Sequence, residues 1–370
     1  MTVKEIYAIP ETGKQTIYAH FFFGILIPLL YYDIRTKHAH TFIIKINVVN
    51  FEHILKEIFK KRITFDYIVL EKYNIELTDK YNYFDLYINL LKNKEANYTN
   101  NIILLPAFDI FEEQKFSYIN KRLGNDNSNF PIYEKKYVDY YSENNESDLN
   151  KKLFHQIKEK YKVYNFTDKF FKLIMYKKSI VRFLNNTYNS ASIPTRKCKI
   201  LLIERPYKPF NADNIYILNT SGQRRIIYNH DNLKNTLSKL YGGDFMNVSL
   251  DNLTFEKQYH MFNNAKIVIA QHGSGLCNLF FSKPNFKTHL IEISPKWNQN
   301  LNAWFKNLSE LCEINYYNVN QPKMTSEECQ LFFSKYNIKY KQSKIMDDFI
   351  ENSGSVNIEE IVTIVKNIID

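Results

Sequence analysis

At 370 residues the chain is long for one hydrophobic core and points to two domains, or at most three. Hydrophobic residues at 45% and aromatic residues at 16% are ample for packed interiors, which excludes global disorder. The formal net charge of +10 fits nucleic acid, an anionic membrane or a phosphorylated small molecule. The basic residues are dispersed, however, in short groups such as Lys60-Lys61-Arg62 and Lys177-Lys178. Without an arginine-rich block or an RNP or zinc-finger pattern, no nucleic-acid partner is expected.

Cys198, Cys277, Cys312 and Cys329 have neither C-x-x-C spacing nor nearby histidines, so no zinc site or disulfide framework is expected and a reducing compartment is compatible. The abundance of Asn, Lys, Ile, Tyr and Phe resembles translation of an AT-rich genome, and sequons such as Asn97-Tyr-Thr99 are then expected by chance. Ile17 to Tyr32 is apolar but short of the ~20 residues of a membrane span, and His20 and Pro28 interrupt it. It also has no basic n-region or small-residue cleavage site. A buried amphipathic helix is the expectation, in an unanchored cytoplasmic chain of bacterial or large-DNA-virus origin without stable membrane insertion.

In chain order, Thr41 to Val49 reads as a strand, Phe51 to Phe59 as a helix, Phe65 to Leu70 as a strand, and Asn101 to Pro106 as another that proline ends. Asn120 to Asn150 is a polar excursion, Leu153 to Leu184 returns to helical spacing, and Asn185 to Pro194 is the best linker. The second half alternates more clearly. Strands are predicted over Cys198 to Glu204, Phe245 to Leu250, Lys266 to Ala270, Thr288 to Ile293 and Glu313 to Val319. Asp213 to Asn219 is a hairpin or inserted strand. Helices are predicted over Asp231 to Leu240, which Gly242-Gly243 stops, Thr254 to Phe262, the run after Gly275, Asn300 to Leu311, and Ile358 to Ile369. This pattern is a doubly wound parallel sheet, in which ligands sit beyond the carboxyl ends of the strands.

His272-Gly273-Ser274-Gly275 lies where such a sheet puts its phosphate loop. Gly273 and Gly275 would let the backbone approach an anion, the N–H groups opening the next helix have no intrahelical acceptor, and Ser274 could add a hydroxyl. It is not a G-x-G-x-x-G fingerprint, because the third glycine is missing, nor a nucleophile elbow, because His272 stands two before Ser274. A structural glycine turn with His272 as a packed core histidine is the alternative. Arg205 follows the first strand of this half, and Arg224-Arg225 precedes an apolar pair. Guanidinium groups suit bidentate phosphate contact, though each taken alone is more often a solvated surface charge. Glu292 interrupts an apolar strand, which is costly unless the carboxylate is paired or binds something such as a ribose hydroxyl. No D-x-D occurs, so arginines and a helix N-terminus, rather than a metal, would neutralise a diphosphate.

Arg224-Arg-Ile-Ile-Tyr-Asn229, Asp251 to Gln258, Ala265 to Phe281 with its H-G-x-G-L-x-N core, and Leu290-Ile-Glu-Ile293 together resemble the signature of glycosyltransferase family 61. That family includes protein O-linked N-acetylglucosaminyltransferases and plant xylan-decorating enzymes. The match in order and spacing runs from about Lys199 to Val319, and Tyr18 to Leu30 is similar to the family's histidine- and proline-bearing helix. Gly24 stands near where the family often has an acidic residue, and Pro206 to Ser221 is an extra stretch between Arg205 and Arg224.

The resemblance implies a GT-B fold: two Rossmann-like domains facing a cleft, the acceptor-side one over 1–185 and the nucleotide-sugar-binding one over 186–370 with a C-terminal helix. It implies an inverting, metal-independent glycosyltransferase (hexosyl-, N-acetylhexosaminyl- or pentosyl-) that moves a sugar from a UDP-sugar donor to a glycan or glycoprotein hydroxyl without a cofactor. Arg205, Arg224, Arg225, His272, Gly273, Ser274, Gly275, Asn278 and Glu292 match donor-binding positions. Inversion needs a base on the acceptor hydroxyl, for which His20 is the first candidate and Asp33 and Asp109 are alternatives. A non-catalytic glycan- or nucleotide-sugar-binding protein of the same fold is the alternative function, and homo-oligomerisation stays open.

Overall fold

The computed structural model describes residues 2–9, 18–45, 48–67, 102–106, 169–188, 199–207, 225–283, 286–295, 302–338 and 344–369. The chain divides into two compact units, Met1–Asn186 and Thr187–Asp370.

The first unit is built on a four-stranded parallel sheet of β1 (Thr2–Ile9), β2 (His40–Ile44), β3 (Ile63–Phe65) and β4 (Ile102–Pro106), in the order β3-β2-β1-β4. β1 is an addition to the predicted elements: Val3-Lys4-Glu5-Ile6 has no clean apolar alternation to announce a strand. β3 begins two residues before the predicted Phe65, and Leu70 lies outside the described residues.

Between β1 and β2 the apolar stretch forms α1 (Tyr18–Phe21), a π-helical turn (Phe22–Leu26) and α2 (Ile27–Arg35). Pro28 cannot donate to the helix ladder and its ring crowds the preceding turn; widening to i→i−5 bonding, with Ile27 N–H reaching Phe22 C=O, relieves both. Phe21, Phe22, Ile25, Leu26, Leu29 and Leu30 are buried, so the helix is covered on all sides as a core element. Among the described residues no helix is long and apolar enough to cross a membrane. α3 (Glu52–Phe59) buries Ile54, Leu55, Ile58 and Phe59 at the predicted spacing. α4 (Lys169–Thr187) continues two residues past the predicted linker start at Asn185.

The second unit holds a five-stranded parallel sheet: β5 (Ile200–Glu204), β6 (Phe245–Ser249), β7 (Ile267–Gln271), β8 (His289–Pro295) and β9 (Asn315–Gln321), ordered β6-β5-β7-β8-β9. Both faces are covered, which is why β5, β7 and β8 read as near-continuous apolar runs. One face (Ile200, Leu202, Ile267, Ile269, Ile291, Ile293, Val319) packs on Leu233 and Leu237 of α5 (His230–Tyr241) and on Ile361 and Val365 of the C-terminal helix α10 (Ile358–Ile369). Each such side chain contributes about 1.5–3 kcal/mol of burial. The other elements are α6 (Phe255–Asn264), α7 (Asn302–Leu311), α8 (Ser326–Lys335), which a Thr325/Glu328 capping box opens, and α9 (Lys344–Glu351).

The run after Gly273 is a 3-10 helix, Ser274–Phe281, where an ordinary helix was expected. Tertiary contacts hold the tighter winding. Asn263 Nδ2 donates to Phe281 C=O at 2.8 Å, Asn278 Nδ2 donates to Gln258 Oε1 at 3.0 Å, and Phe255 and Tyr259 of α6 meet the Phe281 ring.

Candidate functional site

The strand order of the second unit reverses direction between β5 and β7, so the crevice at their carboxyl ends is the topological switch point of the sheet. Arg205 leaves the end of β5 and His272-Gly273 the end of β7, which brings these distant residues to one place. The Arg205 guanidinium lies across the Cα of Gly273: a Cβ there would sit 1.4 Å from Nη2 and 2.5 Å from Cζ. Gly273 is extended (φ 162°, ψ 167°), so the side chain of Arg205, not the backbone angle, calls for glycine. Gly275 abuts Leu250, whose Cδ1 would be 2.8 Å from an added Cβ.

Arg225 reaches the same turn, its Nη1 donating to His272 C=O at 3.2 Å. A buried amide knot on the opposite face of the sheet fixes the segment behind it. Gln271 Nε2 donates to Ile226 C=O (3.1 Å), Gln321 Oε1 (2.6 Å) and Asn352 C=O (3.2 Å); Gln321 Nε2 donates to Ile226 C=O (2.8 Å) and Gly354 C=O (2.9 Å); and Ser353 Oγ accepts from Ile226 N–H (3.0 Å). Gly354 lets this layer close, since a Cβ on it would stand 2.1 Å from Pro322 O.

His272 is 5% exposed and Glu292 0%. His272 Nδ1–H donates to Glu292 Oε1 at 2.5 Å, Tyr316 Oη donates to Glu292 Oε2 at 2.8 Å, and Asn318 Nδ2 bonds Ser294 Oγ (2.7 Å) and the Tyr316 hydroxyl oxygen (3.1 Å). Of the two readings of Glu292, the geometry supplies the paired carboxylate. Burial lowers the proton affinity of His272 below the ordinary histidine value; Glu292 opposes this, and Arg225 and Arg205 add to it. Burial and Glu292 push the Tyr316 phenol up, keeping it a donor. Tyr316 and Asn318 were missed in the sequence. Their signal is the period-two spacing along β9 opposite Glu292, legible only once β9 is known to pair with β8.

Other expected site residues fall elsewhere. Ser274 is half-buried at the mouth of the turn, and Asn278 is fully buried, holding Gln258, which in turn donates to Leu250 and Leu253 C=O. Asp33 is 0% exposed, with Oδ1 and Oδ2 taken by Arg62 Nη1 (2.6 Å) and Nη2 (2.8 Å), and Oδ2 also by His38 Nδ1 (2.7 Å). The position of His20 in α1 is described but its side chain is not, and Arg224 and Asp109 lie outside the described residues. Among the described residues no cluster of three or more His, Cys, Asp or Glu could hold a metal ion.

Two doubly wound Rossmann-like units, one with guanidinium groups on a glycine turn at its switch point, have the domain content of a GT-B glycosyltransferase. The family model Glycosyltransferase 61 matches residues 18–291. The chain belongs to this family, and is a glycosyltransferase. No curated protein matches it significantly in sequence. Among solved structures, E. coli heptosyltransferase WaaC with ADP-2-deoxy-2-fluoro heptose matches at 10% identity and a TM-score of 0.30, covering 91% of this chain and 100% of that one. WaaC with ADP matches at 12% identity and 0.31, covering 90% and 99%.

Proposed function

We propose that the chain transfers a sugar, with inversion and without a metal, from a UDP-sugar to a hydroxyl of a glycan or glycoprotein. The observation that carries this reading is the Arg205 guanidinium lying over the Gly273 Cα while Arg225 holds the His272 carbonyl. Guanidinium charge placed on an open backbone turn suits a diphosphate leaving group, and in that role it supplies what a divalent ion would. Arg205, Arg225 and the turn His272–Gly275 are assigned to the donor diphosphate, with Arg224 beside them in sequence. Glu292 and Asn278 act behind this surface, on His272 and on the loop before α6.

For the base we favour His20 over Asp33, because both oxygens of Asp33 are engaged by Arg62 and His38. The described free cysteines, Cys277, Cys312 and Cys329, suit a reducing, cytoplasmic setting. Thermal melting with nucleoside diphosphates is the test. Saturating UDP should raise the melting temperature of the wild type, and Arg205→Ala with Arg225→Ala should abolish the rise. A melting temperature unmoved by UDP, GDP and ADP would refute the donor site. A donor panel read by released UDP then identifies the sugar.

A further inference from the structure

His272 is held in a way that a packing role does not require. Its Nδ1 is bonded to a carboxylate with no solvent exposure, and that carboxylate is itself oriented by Tyr316. Both carboxylate oxygens of Glu292 accept, one from His272 and one from Tyr316, so Nδ1 carries the hydrogen and the lone pair of the neutral ring is on Nε2. Among the described residues nothing bonds Nε2. The charged or titratable groups around the ring are Glu292 from β8, Tyr316 from β9 behind it, Arg205 from the end of β5 and Arg225 from the segment before α5; α7 contributes the uncharged Phe305 ring at 5.2 Å. In the free protein, burial and then the two arginines lower the proton affinity of the imidazole, against the pull of Glu292.

Deepening the donor-site reading above, on which it rests, we propose that His272 is a catalytic acid toward the leaving group: Nε2 takes up a proton as the diphosphate seats and presents it to the departing phosphate. A diphosphate between Arg205 and Arg225 offsets the two charges that oppose protonation, while Glu292 remains to favour it, so ligand and proton bind together. As the acceptor oxygen bonds to C1, the donor's C1–O bond breaks, its electron pair stays on the phosphate oxygen, and the Nε2 proton is given to that new charge. The acceptor hydroxyl's proton leaves separately, to the base.

The test is calorimetric titration of the full chain with UDP, GDP and ADP between pH 7.5 and 8.5. Terminal phosphates are already ionised there (pKa about 6). Buffers of differing ionisation enthalpy count the protons exchanged. The wild type should take up a fraction of one proton per bound nucleotide. Its affinity should fall with rising pH, by up to about tenfold per unit, between the free and bound pKa values of His272. His272→Asn, whose amide can keep the bond to Glu292, should bind with no proton uptake. If that variant fails to fold, Glu292→Gln should show the uptake moved to lower pH. Nucleotide binding with no proton taken up by the wild type overturns the acid role and leaves the donor site standing, as does uptake that persists unchanged in the variants. Failure of all three nucleotides to bind overturns both.

Discussion

Gly273→Ala separates folding from function at this site. The backbone at 273 is extended, a conformation open to any residue, and the three nearest atoms to a new Cβ all belong to the far end of the Arg205 side chain, the closest at 1.4 Å. The guanidinium must withdraw by about 2 Å to reach an ordinary 3.4 Å contact. A flexible side chain can do that at modest cost. Loss of glycine entropy in the unfolded chain works in the opposite direction by about 0.4–1 kcal/mol, so the apo melting temperature should stay within a few degrees of wild type. Binding should not be spared. A charge-assisted phosphate contact is worth about 1.5–3 kcal/mol, and its loss weakens UDP roughly ten- to a hundredfold. Scanning fluorimetry without ligand and calorimetry with UDP measure the two effects on one preparation. UDP affinity within twofold of wild type, in a folded protein, would refute the placement of Arg205 on the diphosphate.

Asp33→Ala should lower stability toward the bottom of the ~3–5 kcal/mol range for breaking a buried pair, because the stranded Arg62 side chain keeps 21% of its exposure. Urea unfolding measures this, and an unchanged midpoint would mean that the Arg62 and His38 contacts do not hold α2 to its neighbours. His40, His230, His272 and His289 all have their proton affinity lowered chiefly by burial, so each binds its proton more weakly folded than unfolded. Stability should therefore be fully present above the unfolded value of about 6.5 and fall as pH drops below it. A urea midpoint flat from pH 7.5 to 5.5 would contradict that.

The second unit was legible because its strands are buried on both faces and its helices carry stop and cap signals. Leu237 followed by Gly242-Gly243, and Thr254 capping Lys257 N–H, mark boundaries that the chain respects. What local reading could not supply was winding and pairing. The Ser274–Phe281 run has apolar residues that suit an ordinary helix, and only its packing on α6 selects the 3-10 form. Thr2–Ile9 carries charges at 4 and 5 within a sheet and is defined by its neighbours β2 and β4. The turn after β7 was visible as glycine chemistry. That Arg205 occupies the space of a Gly273 side chain depends on β5 and β7 being adjacent, a fact of strand order.

Glu292 shows how strand order changes the meaning of a residue. In sequence, a carboxylate inside Leu-Ile-Glu-Ile demands a partner, and a ligand hydroxyl and an internal group satisfy that demand equally well. In the sheet, Glu292 pairs in register with Ala270 on β7 and Asn318 on β9. The small Ala270 leaves the row open, and the carboxylate meets His272 on one side and Tyr316 on the other. The electrostatics then divide. In the proposed donor site, positive charge toward a diphosphate comes from the guanidiniums of Arg205 and Arg225. The carboxylate of Glu292 is buried behind the turn, and in the proposed site it acts on the ligand through the imidazole it orients. Removing Glu292 thus alters the state of His272 while leaving both guanidiniums in place, which is why proton counting, rather than affinity alone, resolves its role.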